Sequence, residues 1–387
     1  MKSFSNAYDV IIAGLGTVGS ATAMELARRG HTVLGLDAFR PPHNRGSHHG
    51  QSRSIRRAYL EGTGYVPMAL RAWELWRRLE RDTGTSLLVS TGNLTIGLPD
   101  GPAVKGFLAS ARTGNIPHHA LTAAEVRQRW PQLAPSDALA AGLEVEAGLL
   151  FPELSITTLL DEAQRAGAVL RFGERVERWS KHGDHVRVHT ARETLEGGSL
   201  LLAAGARNTS LLGILGDRLS PKRVPVHWVA PPSGKAFELG NFPVNFWQLP
   251  AFEIESNTPY AELYSLPVIG SGGRIKVAAH NNLSDCDPEA PVRPVTPEEV
   301  ADIRSFLGNF IPTLANCTID SDVCLYAQTP DGEFLLGALP GFNNVFTAAL
   351  AGHGFKFAPV LGEILADLIA GTEPAFDVSR FSPERTV

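Results

Sequence analysis

The residue types best suited to chemistry fall in a few short segments. Gly14, Gly16 and Gly19 form G-x-G-x-x-G directly after the apolar run Asp9-Val-Ile-Ile-Ala13 and directly before the helical pattern Ser20-Ala-Thr-Ala-Met-Glu-Leu-Ala-Arg-Arg29. In that context Gly14 permits a tight turn, Gly16 lets backbone amides approach a pyrophosphate, and Gly19 lets helix and strand pack closely, with the anion on the helix N-terminus. Asp37 ends a second apolar strand, 18 residues after Gly19. It stands where an acceptor for a ribose 2′-hydroxyl is wanted, which favours FAD or NAD over NADP.

Cations and one thiol make up the rest. His48, His49, Arg53 and Arg56 gather in and just after the polar, turn-rich loop Arg40–Gly50. An arginine fork suits a carboxylate because it donates two parallel hydrogen bonds. Lys356 follows the turn Ala351-Gly352-His353-Gly354-Phe355 and falls in the first turn of the predicted closing helix, where a cation opposes the helix dipole unless an anion is fixed nearby. Period-two alternation puts Lys276 and His280 on one face of one predicted strand and Cys324 and Tyr326 on one face of another. A buried lysine beside a reduced cofactor stabilises negative charge developing on oxygen. The ordinary alternatives are a solvated basic loop, a solvated sheet face and a small core cysteine.

The elements that must position these groups are readable in outline. Helices are expected over Tyr65–Glu80, from the capping box Thr122-Ala-Ala-Glu125 to before Pro131, over Leu159–Ala168, from Thr296-Pro-Glu-Glu299, and over Gly354–Ala370. Strands are expected over Leu87–Leu98, as a meander within Arg175–Leu202 that ends at Gly205, and as Val224–Val229, Pro243–Leu249, Ala261–Pro267 and Arg274–His280, with short strands resuming over Val323–Ala349. The fold class is α/β (α+β). A discontinuous Rossmann-like nucleotide domain takes residues 1–86, 147–220 and 321–387, and a mostly antiparallel substrate domain takes 87–146 and 221–320.

Composition narrows the partners. The 387 residues carry a net charge of −5, which gives no reason to expect nucleic acid or anionic lipid. No apolar run approaches the roughly 20 residues that a membrane-spanning helix needs. The start Met1-Lys-Ser-Phe-Ser-Asn has no signal-peptide pattern. Cys286, Cys317 and Cys324 give neither a metal-ligand spacing nor an even disulfide framework, which suggests a reducing cytoplasm.

Four segments, Ser47-His48-His49-Gly-Gln-Ser-Arg53-Ser-Ile-Arg56-Arg-Ala-Tyr59, Lys276-Val-Ala-Ala-His280, Cys324-Leu-Tyr326-Ala-Gln-Thr-Pro-Asp331 and Gly352-His-Gly354-Phe-Lys356-Phe357, together resemble the monomeric sarcosine oxidase and N-methyltryptophan oxidase family, in order from about residue 8 to 370. The resemblance implies FAD joined through its 8α-methyl to the sulfur of Cys324. It places His49 and Arg53 close to the flavin and adds Ser47, His48, Val176, Gly205, Gly352, Gly354 and Lys356 to the cofactor contacts. By the same resemblance Arg56 and Lys356 hold a substrate carboxylate, Lys276 activates dioxygen, and Tyr264, His280 and Tyr326 line the cavity with Arg53 at the reacting centre. Ala279 stands where relatives often carry a bulkier residue, and Phe237–Pro259 matches poorly, in a region that would shape the pocket.

The activity so implied is FAD-dependent oxidation of a secondary-amine α-amino acid, such as sarcosine, another N-methyl amino acid, or a cyclic one such as proline or pipecolate. The products are the imine, or what it hydrolyses to, and hydrogen peroxide. The expected partners are the amino acid and O2 alone, with a monomeric chain. One rival is a flavin dehydrogenase serving a non-oxygen acceptor, against which Lys276 argues. A second is a nucleotide-binding regulatory protein without turnover, against which the cationic and aromatic clusters argue.

Overall fold

The computed structural model describes residues 8–232, 235–251, 253, 260–270, 273–280 and 283–386. The expectation for the first six residues lies outside them, as does part of the Phe237–Pro259 segment. Two large sheets carry the fold. In the first, of eight strands, Tyr8–Ala13 lies between Val33–Asp37 and Thr194–Leu202, parallel to both. Alternate side chains of Tyr8–Ala13 feed two different cores: Val10 and Ile12 one, Ile11 and Ala13 the other. Burial on both faces is why this strand reads as a continuous apolar run.

The helix Thr17–Arg28 follows the glycine turn and packs against helices Pro152–Arg165 and Ala358–Ile369. Glycine is needed in the turn because Gly14 has φ +99° and a side chain there would lie 2.5 Å from the carbonyl oxygen of Ala203. The meander Arg178–His182, His185–His189, Thr194–Leu202 adds antiparallel strands, and Val345–Ala349 pairs in parallel with the end of Thr194–Leu202.

The second sheet has nine strands, and its pairing is antiparallel except where Val244–Pro250 runs parallel to Asn93–Gly97. Ser220–Val229 is longer than expected because it pairs along its whole length with Ile319–Gln328, including Val224 opposite Cys324. The strand that carries Cys324 is therefore hydrogen-bonded into this sheet. Helix Pro297–Phe310, opened by the expected box of Thr296 and Glu299, buries Phe306 and Phe310 against Trp247.

Several expectations are corrected. Leu87–Leu98 is two strands, Leu88–Ser90 in a separate three-stranded sheet and Asn93–Gly97 in the nine-stranded one, because Thr91 and Gly92 both turn their N–H groups to the carbonyl of Ala147. The closing helix starts at Ala358, with Pro359 in its first turn, so Lys356 sits in a preceding 3-10 turn, Phe355–Phe357. The helix expected over Leu159–Ala168 begins earlier, at Pro152. Helix Pro102–Thr113 and strands His118–Thr122 and Ala140–Glu144 had no clear sequence signal. The helix has a glycine N-cap and an internal Gly106, and the strand Ala-Ala-Gly-Leu-Glu has low β-propensity.

Candidate active site

A cleft of about 1240 Å³, open to solvent, runs along the glycine turn. Gly14, Gly16, Asp37, Ser47, His48, Val176, Gly205, Gly352 and Gly354 all line it. Gly19 does not line it, but its missing side chain lets the helix settle onto the carbonyl of Gly14. Asp37 is buried and accepts from the N–H groups of Leu15 at 2.8 Å and Phe39 at 2.8 Å. Its oxygens keep lone pairs for further donors. His48 packs beside Gly16, and burial drops its pKa to about 3, so it is a neutral ring.

A second cavity, of about 660 Å³ with the space open to solvent included, adjoins the first. Arg53, Arg56, Tyr264, Lys276, His280, Tyr326 and Lys356 all line it, although they come from different parts of the chain. Arg53, Tyr326, Gly352 and Phe355 line both cavities and form the shared wall. A side chain at Gly352 would run into the ring of Tyr326.

Lys276 is 2 % exposed, and its ammonium donates to the carbonyl oxygen of Ser52 at 3.1 Å. Burial, reinforced by the charge of Arg53, lowers its pKa to about 7. This is not the solvated sheet face that alternation alone allows. Lys356 is likewise buried and donates to the carbonyl of His353 at 2.7 Å. Burial and then the charge of Arg56 bring its pKa to about 7. Arg56 pairs through Nη2 with Glu61 at 3.2 Å and lies 5.6 Å over the Phe246 ring, while its buried Nε has no partner among the described residues.

Cys324 and His49 lie beside the shared wall rather than on it, with Sγ 3.4 Å from His49 Nε2 and 3.9 Å from Arg53 Nη2. Burial alone would raise the thiol, yet the hydrogen bond with His49 and the Arg53 charge outweigh it and bring its pKa to about 7. Burial raises Tyr264, and it pushes Tyr326 up to about 12. Both therefore keep their hydroxyl protons. Burial also lowers His280, favouring its neutral form.

Sequence reasoning passed over several residues of this site. Glu61, Phe246 and His353 line the smaller cavity. Tyr59 lies under both cations, 5.3 Å from Arg56 and 5.0 Å from Lys356. His353 Nε2 is 2.9 Å from the carbonyl of Gly332, which can only accept, so Nε2 carries the proton; Nδ1 then accepts from the Tyr59 hydroxyl at 2.5 Å. Tyr59 and His353 lie within the quoted motif segments and Glu61 two residues beyond one, while Phe246 lies in the Phe237–Pro259 region expected to shape the pocket.

A glycine-lined cleft with a buried acid at its ribose end, joined through one wall to a cavity of buried cations, defines a dinucleotide-dependent oxidoreductase. The residues fit FAD: the glycine turn would meet its pyrophosphate, and Arg53, Tyr326, Gly352 and Phe355 would stand between its ring and the cations. The profile of the family described as "FAD dependent oxidoreductase" (DAO) matches residues 9–368. The chain is 39% identical over 385 residues to monomeric sarcosine oxidase of Streptomyces avermitilis, covering 98% of each. It is 33% identical over 382 residues to N-methyl-L-tryptophan oxidase of Citrobacter koseri, covering 98% of this chain and 99% of that one. Among solved structures, a Tyr258Phe mutant of NikD, an unusual amino acid oxidase of nikkomycin biosynthesis, superposes with a TM-score of 0.84 at 26% identity, covering 99% and 98%. The chain belongs to the FAD-dependent oxidoreductase family, on the branch of the monomeric sarcosine and N-methyltryptophan oxidases. No helix among the described residues is long and apolar enough to cross a membrane.

Proposed function

We propose that this FAD-dependent oxidoreductase oxidises secondary-amine α-amino acids and passes the electrons to dioxygen, acting as a monomer. The observation that carries the reading is the buried Nε of Arg56, without a partner among the described residues, beside the buried ammonium of Lys356, in a cavity that shares a wall with the dinucleotide cleft. A substrate carboxylate would satisfy Arg56 and restore charge to Lys356. Held there, the substrate would present its amine toward the shared wall. His280, kept neutral by burial, can take the proton that a secondary ammonium must lose to free its nitrogen lone pair. Tyr264 and Tyr326 keep their protons and border that position as hydrogen-bond donors.

Bound FAD supplies the two-electron acceptor for the substrate and the donor for dioxygen. Lys276 then holds a positive charge where oxygen becomes negative. Cys324 is the proposed covalent attachment point, since it is a thiol of lowered pKa next to His49 and Arg53. The eight-stranded sheet is read as the cofactor unit and the nine-stranded sheet as the substrate unit, the latter including the Cys324 strand. Peroxide release in air from sarcosine, N-methyl-L-tryptophan, L-proline and L-pipecolate tests the reading. Turnover of at least one, and none of the matching amides, is expected; equal turnover of acids and amides would overturn it.

A further inference from the structure

We propose that Glu153 is a positioning residue for Lys276, acting through the backbone turn Gly50–Ser52. The inference rests on the reading of Lys276 as the cation that faces dioxygen. Strands Arg53–Ile55 and Gly148–Leu150 pair antiparallel with Arg53 opposite Leu150. Continued three residues outward, that register sets Gly50 against Glu153, where the paired strand runs into helix Pro152–Arg165. Oε1 of Glu153 accepts from the N–H groups of both Gly50, at 2.7 Å, and Gln51, at 2.9 Å. An acid in the first turn of a helix ordinarily serves that helix's own N–H groups. This oxygen instead serves a loop about one hundred residues away in sequence.

The turn needs holding. Gly50 has φ +102° and Gln51 has φ +68°, a left-handed conformation that disfavours a residue with a side chain. Ser52 N–H closes the turn onto the Gly50 carbonyl at 2.8 Å. The consequence is the direction of the Ser52 carbonyl, which accepts from Lys276 Nζ at 3.1 Å and from Arg53 Nη1 at 2.7 Å. One neutral oxygen thus holds two cations that repel each other. The turn also lies against the ammonium, for a side chain on Gly50 would sit 3.1 Å from Lys276 Nζ. If the turn relaxed, Lys276 would lose its acceptor and its place.

The test uses the holoenzyme. Glu153→Ala removes the acceptor, whereas Glu153→Gln keeps an acceptor oxygen and loses the charge. Enzyme reduced with dithionite is mixed with oxygen, and reduction by the best substrate of the screen is followed anaerobically. Glu153→Ala is expected to slow the oxygen reaction on the order of tenfold or more with substrate reduction nearly unchanged. It should also speed amide exchange at Gly50 and Gln51, and add nothing further in a Lys276→Met background. An unchanged oxygen reaction, equal slowing of both halves, or a full additional factor in the Lys276→Met background overturns the proposal. Glu153→Gln, which keeps an acceptor, should react with oxygen nearly as the unmutated enzyme does. If the alanine variant does not fold, Glu153→Asp, whose shorter side chain withdraws the carboxylate from both N–H groups, decides by the same contrast. A Lys276→Met enzyme that reacts normally with oxygen would sink the reading of Lys276 and the proposal with it. Slow oxidation there, with Glu153→Ala unaffected, sinks the proposal alone.

Discussion

The sulfur of Cys324 lies 3.4 Å from Nε2 of His49, and this contact, with the Arg53 charge, brings a buried thiol from 9.0 to about 7. A thiolate is therefore present from about pH 7 upward, where an unassisted buried cysteine would stay protonated. Acid-precipitated protein is expected to give a yellow pellet, and Cys324→Ser a colourless one with the flavin in the supernatant. In flavin-free protein, the alkylation rate of Cys324 should rise through about pH 7, and His49→Ala should move that rise to higher pH. A pH profile that His49→Ala leaves unmoved would show that the histidine does not govern the thiol.

Lys276 should matter after reduction. Removing a preorganised charge of this kind typically costs about 3 kcal/mol, on the order of 100-fold in rate. Stopped-flow of Lys276→Met is expected to show slow oxidation by O2 and near-normal reduction by substrate. Equal slowing of the two half-reactions would reduce Lys276 to a structural role.

Arg56 and Lys356 should recognise the carboxylate. Truncating one partner of a buried charge pair commonly costs about 2–5 kcal/mol of binding. Arg56→Ala and Lys356→Ala are expected to weaken acids and simple carboxylate inhibitors far more than the corresponding amides. The ammonium of Lys356 is charged below its pKa of about 7 and neutral above it, while a bound carboxylate favours the charged form. Inhibitor affinity should therefore fall as pH rises above 7, and Lys356→Met should flatten that slope. A slope that survives the substitution would assign the titration to another group.

The loop that carries Arg56 has its own anchor. Glu144 is 0 % exposed and accepts from the N–H groups of Arg57, at 3.0 Å, and Ala58, at 2.9 Å, and from Arg57 Nε at 2.9 Å. Breaking a buried ion pair costs roughly 3–5 kcal/mol, and because Arg57 retains Glu146, Glu144→Ala should fall near the lower end, about 3 kcal/mol. Urea unfolding of the holoenzyme measures this, and a loss below about 1 kcal/mol would contradict the buried-pair account.

Local rules made much of the chain legible. G-x-G-x-x-G between an apolar strand and a helix specified the turn at Gly14 because only neighbouring residues decide that geometry. The boxes at Thr122 and Thr296 opened helices where expected, since a cap needs only a side chain and an N–H three residues apart. Period-two alternation put Lys276 with His280 on one strand face without saying whether that face was wet.

Tertiary structure alone decided that Lys276 is buried, because its cover is the loop Gly50–Ser52, folded over it from more than two hundred residues earlier. It also decided that Glu144 and Glu153 hold that loop and its continuation, since both carboxylates lie about 90 to 100 residues along the chain from the N–H groups they accept. Helix Pro102–Thr113 and strand Ala140–Glu144 likewise owe their form to neighbours, with Phe107 packed against Gly142 and strand pairing on both sides of Ala140–Glu144. Sequence patterns act over a few residues, whereas burial, shared acceptors and charge pairs depend on which distant segments are brought together. That is why the parts of the site could be named from the sequence, while their protonation and mutual support could not.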